Sequence, residues 1–180
     1  MKIYTGKGDN GQSSLIGKEE ISKSRPIFDL LGSLDELNAS LGLVKAPKSK
    51  EINILVSEIQ RDLFSIGALL ADIESNNVYS GWDRKTRNIE QNIDNFQSIL
   101  PELKNFILPG GSATSAQFHL SRAVCRRFER ELVRFIESEG RADLEPLLSY
   151  FNRLSDLFFV LARYSNFKSG VKDVIWDGKP

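Results

Sequence analysis

The chain has 180 residues, 41% of them hydrophobic, with 24 Lys and Arg set against 24 Asp and Glu and a sequence pI near 6.6. That length fits one domain with a sizeable core, and the even charge balance leaves no net field to draw it to nucleic acid or an anionic membrane. A single cysteine, Cys125, excludes an internal disulfide and a cysteine-rich zinc site, and no apolar run approaches the roughly 18 residues of a bilayer span.

In chain order, the apolar positions fall at helical spacing. Ile27, Leu31, Leu34, Leu41 and Val44 outline a first helix running to Lys45, limited by Pro47. Ile52, Leu55, Ile59, Leu63, Ile66 and Leu70 outline a second, followed by a loop over residues 73–83, IESNNVYSGWD. A third carries Ile89, Ile93, Phe96 and Leu100 and stops at Pro101, after which NFILPGGS turns the chain and offers Ser112 as an N-cap. The fourth is long. Its stripe of Phe118, Cys125, Phe128, Leu132, Phe135 and Ile136 ends at Gly140. The fifth enters near Pro146 and passes through Phe151, Leu154, Phe158 and Leu161, and the tail VKDVIWDGKP is expected to be irregular. Amphipathic helices with short connections and no sustained period-2 strand predict an all-α, antiparallel five-helix bundle in one domain.

The stretch GKGDNGQS, Gly6–Ser13, fits G-x-G-x-x-G through Gly6, Gly8 and Gly11, and fits a P-loop pattern except that Gln12 replaces the lysine. Either familiar fold needs a buried strand before the glycines and a helix directly after them. Neither is predicted. A glycine-rich chain end is often flexible, yet glycines among Thr5, Lys7, Ser13 and Ser14 can also wrap backbone N–H groups around phosphate.

Two charged stripes qualify as functional candidates. Arg122, Arg126 and Arg130 recur every four residues beside Glu129 on the fourth helix, and Asn152, Asp156 and Arg163 share a stripe on the fifth. Solvated faces look similar; alternatively, the two stripes face each other across a cleft. On the first helix, Gly32, Asp35, Ala39 and Gly42 form a small-residue surface of the kind found at subunit contacts.

IYTGKGDNGQSSLIG, LLGSLDELNASLG, FILPGGSATSAQFHLSRAVCRRFERE and FNRLSDLFFVLARYSN resemble, in order and spacing, the signature blocks of the PduO-type ATP:cob(I)alamin adenosyltransferases. The resemblance covers essentially the whole chain and follows the family pattern nearly residue for residue over residues 106–131 and 152–166. It implies a ferritin-like five-helix bundle, assembled as a homotrimer with active sites at subunit interfaces. The implied reaction transfers the 5′-deoxyadenosyl group of ATP to cobalt and releases triphosphate. It divides the chain into a nucleotide-wrapping segment over residues 1–25, a bundle over 26–168 and a tail over 169–180.

By the same resemblance, Thr5, Gly6, Lys7, Gly8, Ser13, Ser14 and Lys23 contact ATP, as do Arg126, Arg127, Glu129 and Arg130 from the fourth helix and Asn152 from the fifth. Arg126, Phe106, Asp35 and Arg122 are the residues on which turnover is expected to depend. Phe106 faces the lower side of the cobalamin ring, and Asp35 and Arg122 bridge subunits. Magnesium accompanies ATP through phosphates and water, without a dedicated metal-ligand cluster, and a flavin or flavoprotein is the implied reductant. Cob(I)alamin is itself the nucleophile, so His119 and Cys125 are expected to be packing residues. Where the family usually carries a lysine, this chain has Asn10, and Lys7 is expected to supply the charge. The run SRPIFDLLG, with Ile27 and Leu31 for the family's arginine and tyrosine, receives no site role. The opening MKIYTGKG lacks the apolar core of a signal peptide, which makes the cytoplasm the expected location. A bundle phosphohydrolase and a non-catalytic nucleotide- or corrinoid-binding regulator are the alternatives.

Overall fold

The computed structural model describes residues 2–16, 20–46, 49–72 and 81–178. Its helices are α1 (Pro26–Gly42), α2 (Lys50–Ala71), α3 (Trp82–Gln97), α4 (Ala113–Glu139) and α5 (Glu145–Lys168). Two antiparallel pairs of two-residue strands flank them: β1 (Gln12–Ser13) with β2 (Ile21–Ser22), and β3 (Ile107–Leu108) with β4 (Val174–Ile175). The bundle is as the periodicity predicts. The predicted loop over residues 73–83 and the stop at Pro47 lie for the most part outside the described residues.

Local chemistry sets the helix ends. Ser49 and Ser112 each stand in extended backbone and accept an N–H from the first turn, from Ile52 and Ser115, at 3.3 Å. Gly140 ends α4 at φ 67°, the left-handed cap that a side chain resists, and Pro146 sits in the first turn of α5, where its missing N–H costs nothing. The boundaries shift from the expected ones at two places. α1 closes at Gly42 rather than Lys45, and α3 at Gln97, leaving Leu100 half-buried beyond it.

α4 lies between α1 and α5, with α2 along α1 and α3 along α5. The Ser40–Ser121 hydrogen bond of 3.0 Å and the Glu36–Arg127 ion pair fix α1 and α4 as antiparallel. The core between α4 and α5 is aromatic: Phe128 meets Phe151 at 4.3 Å between ring centroids, and Phe118 stacks on Phe158 at 6.2 Å. All four rings are fully buried. Cys125 belongs to this core, its thiol donating to the Phe151 carbonyl at 3.4 Å, and burial pushes its pKa far up, so it stays a protonated thiol.

The tail departs from expectation. Instead of running irregularly, β4 pairs with β3, and Trp176 N–H donates to the Phe106 carbonyl at 2.9 Å. The pairing is held by a polar network that periodicity does not reveal. Arg163, 7% exposed, turns away from the α5 stripe to pair with Asp173 at 2.9 Å and to donate to the Pro101 carbonyl at 3.0 Å. Asp173 also accepts from Asn166, whose amide clasps the LPGGS turn by accepting Ser112 N–H and donating to the Gly110 carbonyl.

Candidate functional site

Helical geometry splits the charged residues of α4 into three directions. Arg122 and Glu129 lean towards α5, Arg127 and Glu131 towards α1, and Arg126 and Arg130 point outwards between them. Glu129 accepts the Asn152 amide at 3.0 Å, and Asn152 in turn accepts from Arg153, which pairs with Asp156 at 3.4 Å. This hydrogen-bonded row crosses from α4 onto α5. Arg127 pairs with Glu36 across the α1–α4 groove, and that bond raises its pKa further. Arg126 and Arg130 are exposed, and neither has a carboxylate partner among the described residues; Arg130 donates only to the Arg126 carbonyl at 2.9 Å. Two unneutralised guanidinium groups a turn apart form a surface suited to an anion of several charges.

Beside this surface opens a cleft of about 660 Å³ between α3, α4 and α5, lined by Phe106, His119, Arg122, Arg153, Asp156 and Phe159 among others. Phe106 stands at its rim and is 78% exposed, although a phenylalanine ring in water is unfavourable. Among the described residues, its ring contact is Trp176, edge-on at 6.2 Å. The guanidinium of Arg122 lies 5.6 Å over Phe159, a cation–π contact that holds it at the cleft wall. The two stripes thus meet in part: Asn152 and Asp156 join the row and the cleft, whereas Arg163 does not. Phe159, Trp176 and Arg153 were not singled out from the sequence. Phe159 had a signal, a large aromatic ring three residues after Asp156 and therefore on the polar stripe.

The N-terminal loop makes its own structure. Gly6 and Gly11 take φ of 72° and 79°, Thr5 accepts the Lys7 backbone N–H, and the Lys23 ammonium donates to the Gly8 carbonyl at 2.7 Å. Asn10 accepts Gln12 N–H at 3.1 Å, shaping the turn through its side chain. Ser13 lies in β1 and Ser14 directly follows it, exposed. The segment that follows the loop, Ile21, Ser22 and Arg25, lies beside Phe135 and Glu139 at the far end of α4, with Arg25 3.7 Å from Glu139; Glu139 is roughly 20 Å along the axis from Arg126 at 1.5 Å per residue. Among the described residues, no hydrogen bond or ion pair joins residues 2–16 to Arg122, Arg126, Arg130 or Asn152. Asp35 is likewise exposed on α1 and forms no ion pair with Arg122 within the chain. Among the described residues, the expected ATP residues therefore fall into two groups that no hydrogen bond or ion pair joins.

Among the described residues, no group of three or more His, Cys, Asp or Glu side chains is arranged to hold a metal ion, and no helix is long and apolar enough to cross a membrane.

Residues 3–165 match the family described as cobalamin adenosyltransferase. Among curated relatives, a corrinoid adenosyltransferase of Bacillus subtilis (strain 168) is 37% identical over 98% of this chain and 93% of its own length. The corrinoid adenosyltransferase MMAB of Homo sapiens is 35% identical over 97% of this chain and 73% of its own. Among solved structures, a PduO-type ATP:corrinoid adenosyltransferase from Lactobacillus reuteri, a phenylalanine-to-histidine variant complexed with cobalamin and ATP, superposes with a TM-score of 0.85 at 34% identity, covering 99% of this chain and 98% of that one. An arginine-to-lysine variant from the same organism, complexed with ATP, gives a TM-score of 0.86 at 34% identity over 97% and 99%.

Proposed function

The chain belongs to the PduO-type cobalamin adenosyltransferase family, and from that premise we infer how its residues divide the reaction. The protein is an ATP-dependent adenosyltransferase acting on cobalamin. Cob(I)alamin attacks the 5′-carbon of ATP: a cobalt–carbon bond forms, the carbon–oxygen bond to the α-phosphate breaks, and triphosphate leaves with the bond's electron pair. The nucleophile arrives with the substrate, so a buried, protonated Cys125 is no handicap. The protein's part is to align the two substrates and to neutralise the leaving group.

In this reading Arg126 and Arg130 receive the triphosphate, Arg127 joins them by exchanging Glu36 for phosphate, and Glu129 with Asn152 holds the nucleoside. Thr5, Gly6, Lys7, Gly8, Ser13, Ser14 and Lys23 wrap the phosphates from a second copy of the chain. What supports a second copy is that the segment following the loop docks by Arg25 at Glu139, roughly 20 Å along α4 from Arg126. Asp35, exposed among Gly32 and Ala39, is read as the carboxylate that meets Arg122 across that contact, and a homotrimer closes the arrangement. Magnesium travels with the triphosphate. A flavin or flavoprotein supplies electrons to cobalt, and the need for ATP and strong reductant together favours the cytoplasm.

The observation that carries the reading is Phe106: an exposed ring, held by β3 and Trp176 at the rim of a cleft beside uncompensated arginines. We read it as the apolar surface under the cobalamin ring, excluding a lower axial ligand and so easing reduction of cob(II)alamin. The test is to supply ATP and chemically reduced cobalamin and follow adenosylcobalamin and intact triphosphate. Both products are expected; orthophosphate without adenosylcobalamin would mean hydrolysis instead. Phe106→Ala should slow the coupled reduction of cob(II)alamin far more than transfer from preformed cob(I)alamin, and equal losses would remove the role.

A further inference from the structure

Arg153 makes a contact that helical geometry does not provide for. Neighbours in sequence on a helix do not face each other, yet the Arg153 guanidinium donates through Nη2 to Oδ1 of Asn152, the residue directly before it. Asn152 and Asp156 lie one turn apart on one face of α5, and the guanidinium swings onto that face and spans them, with Nη1 3.4 Å from Asp156 Oδ2. The opposite side of the Asn152 amide is taken from α4, where Glu129 Oε1 accepts from Nδ2 at 3.0 Å.

A carboxylate only accepts and a guanidinium only donates. Held between the two, the Asn152 amide has one orientation that satisfies both neighbours: nitrogen towards Glu129, oxygen towards Arg153. Two groups in this row stay uncommitted. Among the described residues, neither the second Nδ2 hydrogen of Asn152 nor Oε2 of Glu129 has a hydrogen-bond partner, so the row offers a ligand one donor beside one acceptor. We propose that Arg153 is a positioning residue: by holding Oδ1 it fixes which way the Asn152 amide faces, and thereby fixes the order of donor and acceptor that the nucleoside meets. The proposal rests on the reading of Glu129 and Asn152 as the residues that hold the nucleoside.

The chemistry of the complementary group follows. It carries an acceptor opposite Asn152 and a donor opposite Glu129. Two parts of ATP have that pair: the adenine edge, where ring nitrogen N1 stands beside the N6 amino group, and the ribose, whose hydroxyls both donate and accept. Arg153 and Asp156 keep 39% and 50% of their side-chain surface in water, so their ion pair adds little to the fold, and Arg153 can be replaced without unfolding the bundle.

Equilibrium binding of ATP to the full-length protein, alongside steady-state turnover, tests this. Arg153→Met should weaken ATP binding about tenfold or more, as loss of a charge-assisted hydrogen bond does, with kcat kept within about threefold, and Arg153→Lys, which retains a cationic donor, should recover most of the affinity. In an Asn152→Ala background the same Arg153→Met change should alter affinity by less than about twofold, because nothing is left to orient. Losses that multiply, or a wild-type affinity in Arg153→Met alone, would overturn the proposal and leave the nucleoside reading standing; a wild-type affinity in Asn152→Ala would overturn both. Analogues then separate the two sources of the pair. ITP, whose base edge reverses donor and acceptor, should bind the wild type about tenfold more weakly than ATP if the row reads the base, and 2′-deoxy- or 3′-deoxy-ATP should do so if it reads the ribose. In Arg153→Met that penalty should shrink to within about threefold. Equal binding of all four nucleotides by the wild type would also overturn the proposal. Failure to make adenosylcobalamin, with the non-additive losses and the analogue pattern intact, would refute the reaction assignment and sustain the role of Arg153.

Discussion

At the scale of single residues, Gly111 shows how little freedom the turn before α4 allows. It sits at φ +100°, and a Cβ there would fall 2.3 Å from Asn166 Oδ1, the atom that accepts Ser112 N–H. Relief would require moving Asn166 away from both of its turn contacts. Gly110, its neighbour, has nothing within 4 Å of a Cβ and no positive φ. Gly111→Ala should therefore lower unfolding stability by about 2 kcal/mol or more, whereas Gly110→Ala should change it by less than about 0.5 kcal/mol. Urea unfolding of the two variants checks this, and equal losses would mean that the clasp is not what fixes the turn. Asn10 illustrates the opposite case. Standing where the family usually carries a lysine, it removes a charge from the loop, and its side chain closes the loop's turn by accepting Gln12 N–H at 3.1 Å.

Among elements, the β3–β4 pair and the LPGGS turn depend on α5 through Asn166 and Arg163, and both converge on Asp173. Arg163 is nearly enclosed, so Asp173→Ala strands a buried cation and should cost about 3 kcal/mol. A loss below about 0.5 kcal/mol in denaturant unfolding would show that solvent reaches Arg163 freely. The same network marks where the sequence stops being legible. Helices α1 to α5 could be read because each buries a stripe whose 3.6-residue period is written in Leu, Ile and Phe. Two-residue strands bury too little to write any period, so β4 was invisible, and Arg163 looked like a member of the Asn152–Asp156 stripe although its partners lie in the tail. The glycine-rich stretch Gly6–Ser13 and the Arg122, Arg126 and Arg130 stripe were legible as residue types and spacings, whereas Lys23, Arg127 and Asn152 entered only through the family resemblance. That Arg127 would be taken up by Glu36, and that the loop would lie an α4 half-length away, depended on tertiary packing that spacing does not encode.

For the whole molecule, the separation of loop and arginines has a consequence that one chain cannot show. If each site takes its loop from one copy and its arginines from another, damage to the two groups can be complemented between chains. Lys23→Ala should weaken the loop, whose Gly8 carbonyl that ammonium holds, and Arg126→Ala should cost about ten- to a hundredfold in turnover by removing a charge-assisted contact. Each variant alone carries the lesion in every site. Coexpressed in equal amounts and mixed at random, they produce some interfaces with both lesions, some with one, and about one quarter with an intact loop facing intact arginines, as closed heterologous assembly requires. Activity of the purified mixture should therefore climb to about a quarter of wild type, well above either variant. Mixing the separately purified proteins without subunit exchange should give no such gain. If coexpression leaves activity at the level of the singles while mass analysis shows mixed oligomers, the loop and the arginines of one chain serve the same site, and the loop must swing along α4 to reach them.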